Sequence, residues 1–179
     1  MLIVVTGGAR SGKSHLALER ARRSRRDDVV FVATCPRIGG DRELEQRIRA
    51  HRDERPPSWT TVEAQHDLAA AIAGAPSSAP LIVDCLTLWV ANLLYRGDDP
   101  ASVEDASERA LAEVAARSGE TVAVTNEVGL GIVPAEAESR TYRDVLGRVN
   151  QGWVAAADRA LLLVAGRALP LHDPEDLLP

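Results

Sequence analysis

The sequence predicts a three-layer α/β/α domain around a mostly parallel sheet, and two patterns carry that reading. Five short runs rich in Val, Ile, Leu and Ala recur along the 179 residues: 2–6 (LIVVT), 29–34 (VVFVAT), 81–85 (LIVDC), 121–125 (TVAVT) and 160–165 (ALLLVA). Each is apolar without alternation, as a strand buried between two helical layers must be. Segments of helical period separate them, and strand alternating with helix over the whole length calls for right-handed crossovers between parallel strands. The length and the 45% apolar content suit one domain over residues 1–179, with 166–179 as a tail.

Taken in order, the first strand runs directly into Gly7 and Gly8, and a helix is expected from Lys13 to about Arg26. After the strand at 29–34, a second helix spans Arg42 to about Asp53. Residues 59–63 add a short edge strand, a place that tolerates the preceding Pro56 and Pro57. A helix at 67–73 leads to the loop GAPSSAP at 74–80, read as a surface loop. The strand at 81–85 is followed by helices at 86–95 and 102–117. After the strand at 121–125, a helix at 140–157 carries Tyr142, Val145, Leu146, Val149 and Trp153 at three- and four-residue steps, a stripe suited to the core. The last strand gives way to the Pro-rich, acidic LPLHDPEDLLP, read as surface-packed or partly disordered.

Composition narrows the function. The formal charge of −5 argues against a general nucleic-acid-binding surface. Basic side chains are concentrated in the first sixty residues and acidic ones in the rest, which suits a local anionic ligand such as a polyphosphate. No apolar run approaches the roughly 18 residues of a membrane span, and no basic segment precedes the first strand as in a signal peptide. A cytoplasmic protein without a membrane span is therefore expected. Cys35 and Cys85 adjoin strand runs with no metal-ligand spacing, as buried reduced thiols would. Lys13 is the sole lysine in a chain otherwise furnished with arginine, a pointer to a position that needs an ammonium.

That lysine lies in GGARSGKS, Gly7 to Ser14, which matches G-x-x-x-x-G-K-[ST] directly after a strand and before a helix. Gly7, Gly8, Ala9, Arg10, Ser11 and Gly12 would turn their backbone N–H groups around a phosphate, with the positive end of the helix behind them. Lys13 would reach β- and γ-phosphate oxygens as a compact charge, and the Ser14 hydroxyl would serve Mg²⁺. The fold class expected is thus an α/β/α P-loop NTPase with a mostly parallel, RecA-like sheet. Asp84, ending the LIVDC strand, is placed to hold Mg²⁺ at the same sheet edge, or else to cap the next helix. Asn126 and Glu127 follow the TVAVT strand at that edge and face the ligand crevice, with helix capping as the alternative for Asn126. Gly129, Gly131 and Pro134 suggest a shaped loop over it.

His51 stands in RIRAHRDERPPSW beside Arg47, Arg49, Arg52 and Arg55. A histidine in a charged helix is commonly solvated. Among arginines that attract anions, a neutral imidazole is also able to attack a phosphate and form a phosphoramidate.

Four ordered motifs, VTGGARSGKS, the RIxxHRxxRPxxW pattern around His51, DCLTLWVANLL, and TNEVGLGIVP followed by YRDVLGRVNQ, make residues 1–166 resemble the bifunctional adenosylcobinamide kinase / adenosylcobinamide-phosphate guanylyltransferases of cobalamin biosynthesis. The resemblance implies that His51 becomes guanylylated. It also implies that Ala33, Thr34, Cys35, Arg52, Asp53, Glu54, Arg55, Glu63 and Asp84 contact GTP. It implies GTP and ATP as substrates with adenosylcobinamide and its phosphate, Mg²⁺ as cofactor, and a homotrimer. One departure from the family pattern is local: Asp41 is followed by Arg42 where an acidic pair is usual, with Gly39 and Gly40 before them. A RecA-like ATPase working on a polymer, or a nucleotide-binding regulator without chemistry, are the competing readings. Only the guanylyltransferase reading predicts covalent label from α-labelled GTP.

Overall fold

The computed structural model describes residues 1–36, 46, 49 and 51–178. Its strands are β1 (Leu2–Gly7), β2 (Val30–Ala33), β3 (Thr60–Glu63), β4 (Leu81–Asp84), β5 (Thr121–Val124), β6 (Arg159–Val164) and β7 (Arg167–Leu171). Its helices are α1 (Lys13–Arg23), α2 (Leu68–Ala73), α3 (Leu86–Arg96), α4 (Pro100–Ala115) and α5 (Ala137–Ala155), with a 3₁₀ turn at Pro174–Leu177. The helix expected from Arg42 to about Asp53 lies mostly outside the described residues, as do Gly39, Gly40, Asp41 and Arg47; residues 51–53 are helical.

The strands form one sheet in the order β3-β2-β4-β5-β1-β6-β7. Every pairing is parallel except the β6–β7 hairpin. Alternate residues of each strand supply opposite faces. Leu2, Val4, Val32, Val83 and Ala123 pack with Leu68, Ile72, Trp89, Leu93 and Val103, and with the stripe of Val145, Leu146, Val149 and Trp153 from α5. Ile3, Val5, Phe31, Ile82, Val122 and Val124 pack on the other side with Ala17, Leu18 and Ala21 of α1 and with Trp59. The continuous apolar runs are therefore two-sided strands, and the three layers expected from them are present.

Local chemistry sets most helix ends. Asp67 caps α2 by accepting from the Ala70 N–H at 2.9 Å, and Asp99 caps α4 by accepting from the Ser102 N–H at 2.9 Å, with Pro100 opening the helix. Gly97 ends α3 in the left-handed conformation at φ 101°. The N-cap of α3 is Cys85, so Asp84 is free of the capping role that its position allowed.

The chain end departs from a simple tail. Arg167–Leu171 forms the antiparallel edge strand β7, because Ala165 and Gly166, with φ 49° and 75°, turn the chain back along β6. Its residues are all exposed, and Pro170 is tolerated because an edge strand needs only half its ladder.

Candidate active site

The carboxyl ends of β1, β4 and β5 meet at one edge of the sheet, where an open α/β sheet binds its ligands. The loop from Gly7 to Ser14 leaves β1 there. Gly7, at φ 142°, runs against β6, and a Cβ on it would collide with the Leu163 carbonyl. Gly12, at φ 99°, turns the chain into α1. Lys13 is buried, and its ammonium donates to the carbonyls of Gly7 at 2.9 Å and Gly8 at 2.6 Å and to Ser11 Oγ at 3.3 Å. Burial pushes Lys13 below its ordinary pKa, against the pull of Cys85 and Asp84. The side chain thus waits on weak neutral acceptors that a phosphate would outcompete.

Asp84 ends β4 with its carboxyl near the Ser14 hydroxyl. Burial pushes that carboxyl upward, opposed by Ser14 and by the nearby His51, Lys13 and Arg55. Cys85 next to it has its thiol pushed up to about 12, by burial first and by Asp84 second. Such a thiol stays protonated at neutral pH and is a poor nucleophile.

A cleft of about 730 Å³ opens over these groups, lined by residues of the phosphate loop, His51, Glu54, Asp84, Cys85, Leu88, Val124 and Asn126. The tertiary structure therefore brings His51 to the phosphate loop across a long stretch of sequence. His51 Nδ1 lies 3.7 Å from Glu54 Oε2. Arg55 stiffens this segment: its guanidinium lies 4.1 Å from the Phe31 ring centroid, Nε donates to the His51 carbonyl at 3.1 Å, and Nη1 donates to Thr61 Oγ1 at 3.2 Å. Arg55 is in this way committed to holding the His51 segment against β2 and β3.

The other expected nucleotide contacts are less concentrated. Arg52 and Asp53 are exposed beside His51, and Glu63 is exposed at the end of β3. Ala33, Thr34 and Cys35 leave β2 next to the cleft without lining it. Thr34 acts structurally: its hydroxyl donates to the Cys85 carbonyl at 2.7 Å and accepts from the Cys85 N–H at 2.8 Å, tying the end of β2 to the end of β4. Asn126 lines the cleft as its position predicts, Glu127 is not among the lining residues, and Leu88 and Val124 line it without having been singled out in the sequence. For Asn126 the available signal was its place directly after a buried strand. It caps no helix, since α5 begins beyond Glu136.

A second hollow, about 470 Å³, lies among α2, α3 and α4 and is lined by His66, Asp67, Asp98 and Asp99. Its carboxylates are already engaged: Asp67 and Asp99 cap helices, and Asp98 pairs with Arg96.

Residues 3–171 match the family model described as cobinamide kinase / cobinamide phosphate guanyltransferase, five residues beyond the motifs that carried the resemblance. The "Bifunctional adenosylcobalamin biosynthesis protein CobP" of Pseudomonas aeruginosa is 40% identical, with 94% of this chain and 95% of that protein covered. The "Bifunctional adenosylcobalamin biosynthesis protein CobU" of Salmonella typhimurium is 38% identical over 93% and 97%, and that of Escherichia coli 39% over 93% and 97%. Among solved structures, the RadB recombinase superposes with a TM-score of 0.55 at 17% identity, covering 90% of this chain and 73% of that one. The flagellar accessory protein FlaH of Methanocaldococcus jannaschii gives 0.51 at 14%, covering 95% and 77%. At such identities the likeness concerns the fold alone, and it agrees with an α/β P-loop NTPase fold of RecA-like type.

Proposed function

Since the chain belongs to the cobinamide kinase / cobinamide phosphate guanyltransferase family, we propose that it phosphorylates adenosylcobinamide with ATP or GTP and then transfers GMP from GTP to the product, through a covalent adduct on His51. The observation that carries the second half is that His51 and the phosphate loop line one cleft.

In the first reaction the phosphate chain lies in the loop from Gly7 to Ser14, and Lys13 exchanges its carbonyl partners for phosphate oxygens. The acceptor hydroxyl attacks the γ-phosphorus while the bond to the leaving diphosphate breaks, so positioning and charge neutralisation carry the rate. Ser14 and Asp84 fit Mg²⁺: they are hard oxygen donors that line the same cleft at the loop. No cluster of three or more His, Cys, Asp or Glu is present among the described residues, which suits an ion that takes its remaining ligands from water and phosphate. When bound, the ion would neutralise charge on the phosphate oxygens.

In the second reaction His51 attacks the α-phosphorus of GTP and pyrophosphate leaves. The phosphate of adenosylcobinamide phosphate then attacks the adduct and frees the imidazole. Glu54 Oε2 stands 3.7 Å from Nδ1, and Nε2, on the other side of the ring, is the nitrogen proposed for the attack. A cytoplasmic homotrimer completes the reading, with Leu130 and Ile132, 86% and 97% exposed, offering apolar surface for subunit contact.

Incubation with α-labelled GTP should leave acid-labile label on the protein, and His51→Ala should abolish it while retaining the kinase reaction. Label accumulating undiminished on His51→Ala would overturn the assignment.

A further inference from the structure

A buried polar cluster beside the cleft takes no part in either reaction as described. Thr125, just past β5, is fully buried, and its hydroxyl donates to Asn150 Oδ1 of α5 at 2.7 Å. Thr87 Oγ1 of α3 lies 3.3 Å from the same hydroxyl. The cluster converges on Asn126. Its backbone N–H donates to Thr87 Oγ1 at 2.7 Å, and its carbonyl accepts from Asn150 Nδ2 at 3.0 Å.

Two helices thus clamp both backbone groups of one residue. The next N–H, that of Glu127, donates to the Gly7 carbonyl at 3.2 Å, which ties the segment to the start of the phosphate loop. By contrast, the side-chain amide of Asn126 makes no hydrogen bond among the described residues, while the residue lines the cleft. Buried polar groups are costly unless fully partnered, so a satisfied cluster of this kind holds a single geometry. A donor fixed in advance of its ligand loses little entropy on binding it.

Strand order decides what that donor meets. β5 lies between β1, which carries the phosphate loop, and β4, which carries Asp84. A phosphate chain held at the end of β1 therefore passes beside Asn126.

We propose that the Asn126 side-chain amide donates to the terminal phosphate of the bound nucleoside triphosphate, and that Asn150 and Thr87 are positioning residues that aim it. The inference rests on the nucleotide-dependent reading above and adds a residue that distinguishes triphosphate from diphosphate.

The test is equilibrium binding of GTP and GDP, each with Mg²⁺, to the full chain and its variants. Asn126→Leu and the smaller Asn126→Ala should weaken GTP about tenfold and GDP less than twofold, with the thermal transition unchanged. Asn150→Asp keeps an acceptor for Thr125 but loses the donor to the Asn126 carbonyl. It should erode the preference for GTP over GDP in the same sense. Wild-type GTP affinity in both Asn126 variants, or equal loss of GTP and GDP, would overturn the contact; an Asn150→Asp protein with undiminished preference would overturn the positioning role. Failure of the underlying reading looks different: the wild-type protein would then form neither phosphorylated cobinamide nor labelled adduct, whatever its nucleotide preference.

Discussion

The Lys13 ammonium sits against the carbonyls of Gly7 and Gly8, at a point where the planar guanidinium of arginine has no matching set of acceptors. An isolated lysine in an arginine-rich chain was legible as a signal because that geometry tolerates no exchange. Tyr142 shows the reverse case. Its helical spacing marked it only as core, whereas in the fold the ring is partly buried against the core and its hydroxyl donates to the Thr87 carbonyl at 3.4 Å. Burial, with a smaller contribution from Cys85, pushes the phenol up to about 12. The unfolded chain releases this proton near pH 10. Between about pH 10 and 12 the folded state therefore binds the extra proton, and stability falls as pH rises through that window. Tyr142→Phe should remove that part of the alkaline decline in a pH series of urea unfolding. Identical slopes for the two proteins would refute the shift.

Among elements, the ends rather than the centres of helices carried the surprises. α4 begins at Pro100 and α5 at Ala137, ahead of the expected 102 and 140, because caps and first turns need no apolar residue and so lie outside the periodic stripe. The segment 74–80 is only partly a surface loop: Ala75 and Ala79 are buried beneath Arg117. The Arg117 guanidinium donates to the carbonyls of Ile72, Ala75, Pro76 and Ala79, closing the end of α2 and the approach to β4. This junction lies at the amino end of β4, away from the cleft. The carbonyls of Ile72 and Pro76 also accept backbone N–H groups, so Arg117→Met should leave chiefly those of Ala75 and Ala79 unpaired and cost on the order of 3 kcal/mol, read as a lower denaturant midpoint with nucleotide affinity unchanged. A midpoint equal to wild type would show that the carbonyls find other partners.

At the scale of the whole molecule, the phosphate loop is supported from β6. Gly7 packs against the Leu163 carbonyl, and the Gly166 N–H at the β6–β7 turn donates to the Ser11 carbonyl at 3.0 Å. Residues read from sequence as a tail thus brace the nucleotide site from behind. Removing 167–179 leaves the edge of β6 unpaired and the turn at Gly166 untethered. Because β7 is exposed, both core clusters should survive, while GTP affinity drops several-fold in a binding titration. Wild-type affinity in the truncated chain would show that β6 alone holds the loop.

Short-range chemistry in the chain determined the two-sided strands, the phosphate loop and its lysine, and the acid at the end of β4, because each depends on neighbours a few residues away. Strand pairing is non-local, so nothing within TVAVT says that it lies between β1 and β4, and nothing within the YRDVLGRVNQ segment says that Asn150 reaches back to clamp Asn126. The tertiary structure alone decided those neighbours, along with the seating of His51 over the phosphate loop, because all three require burial and hydrogen bonding between segments far apart in the chain.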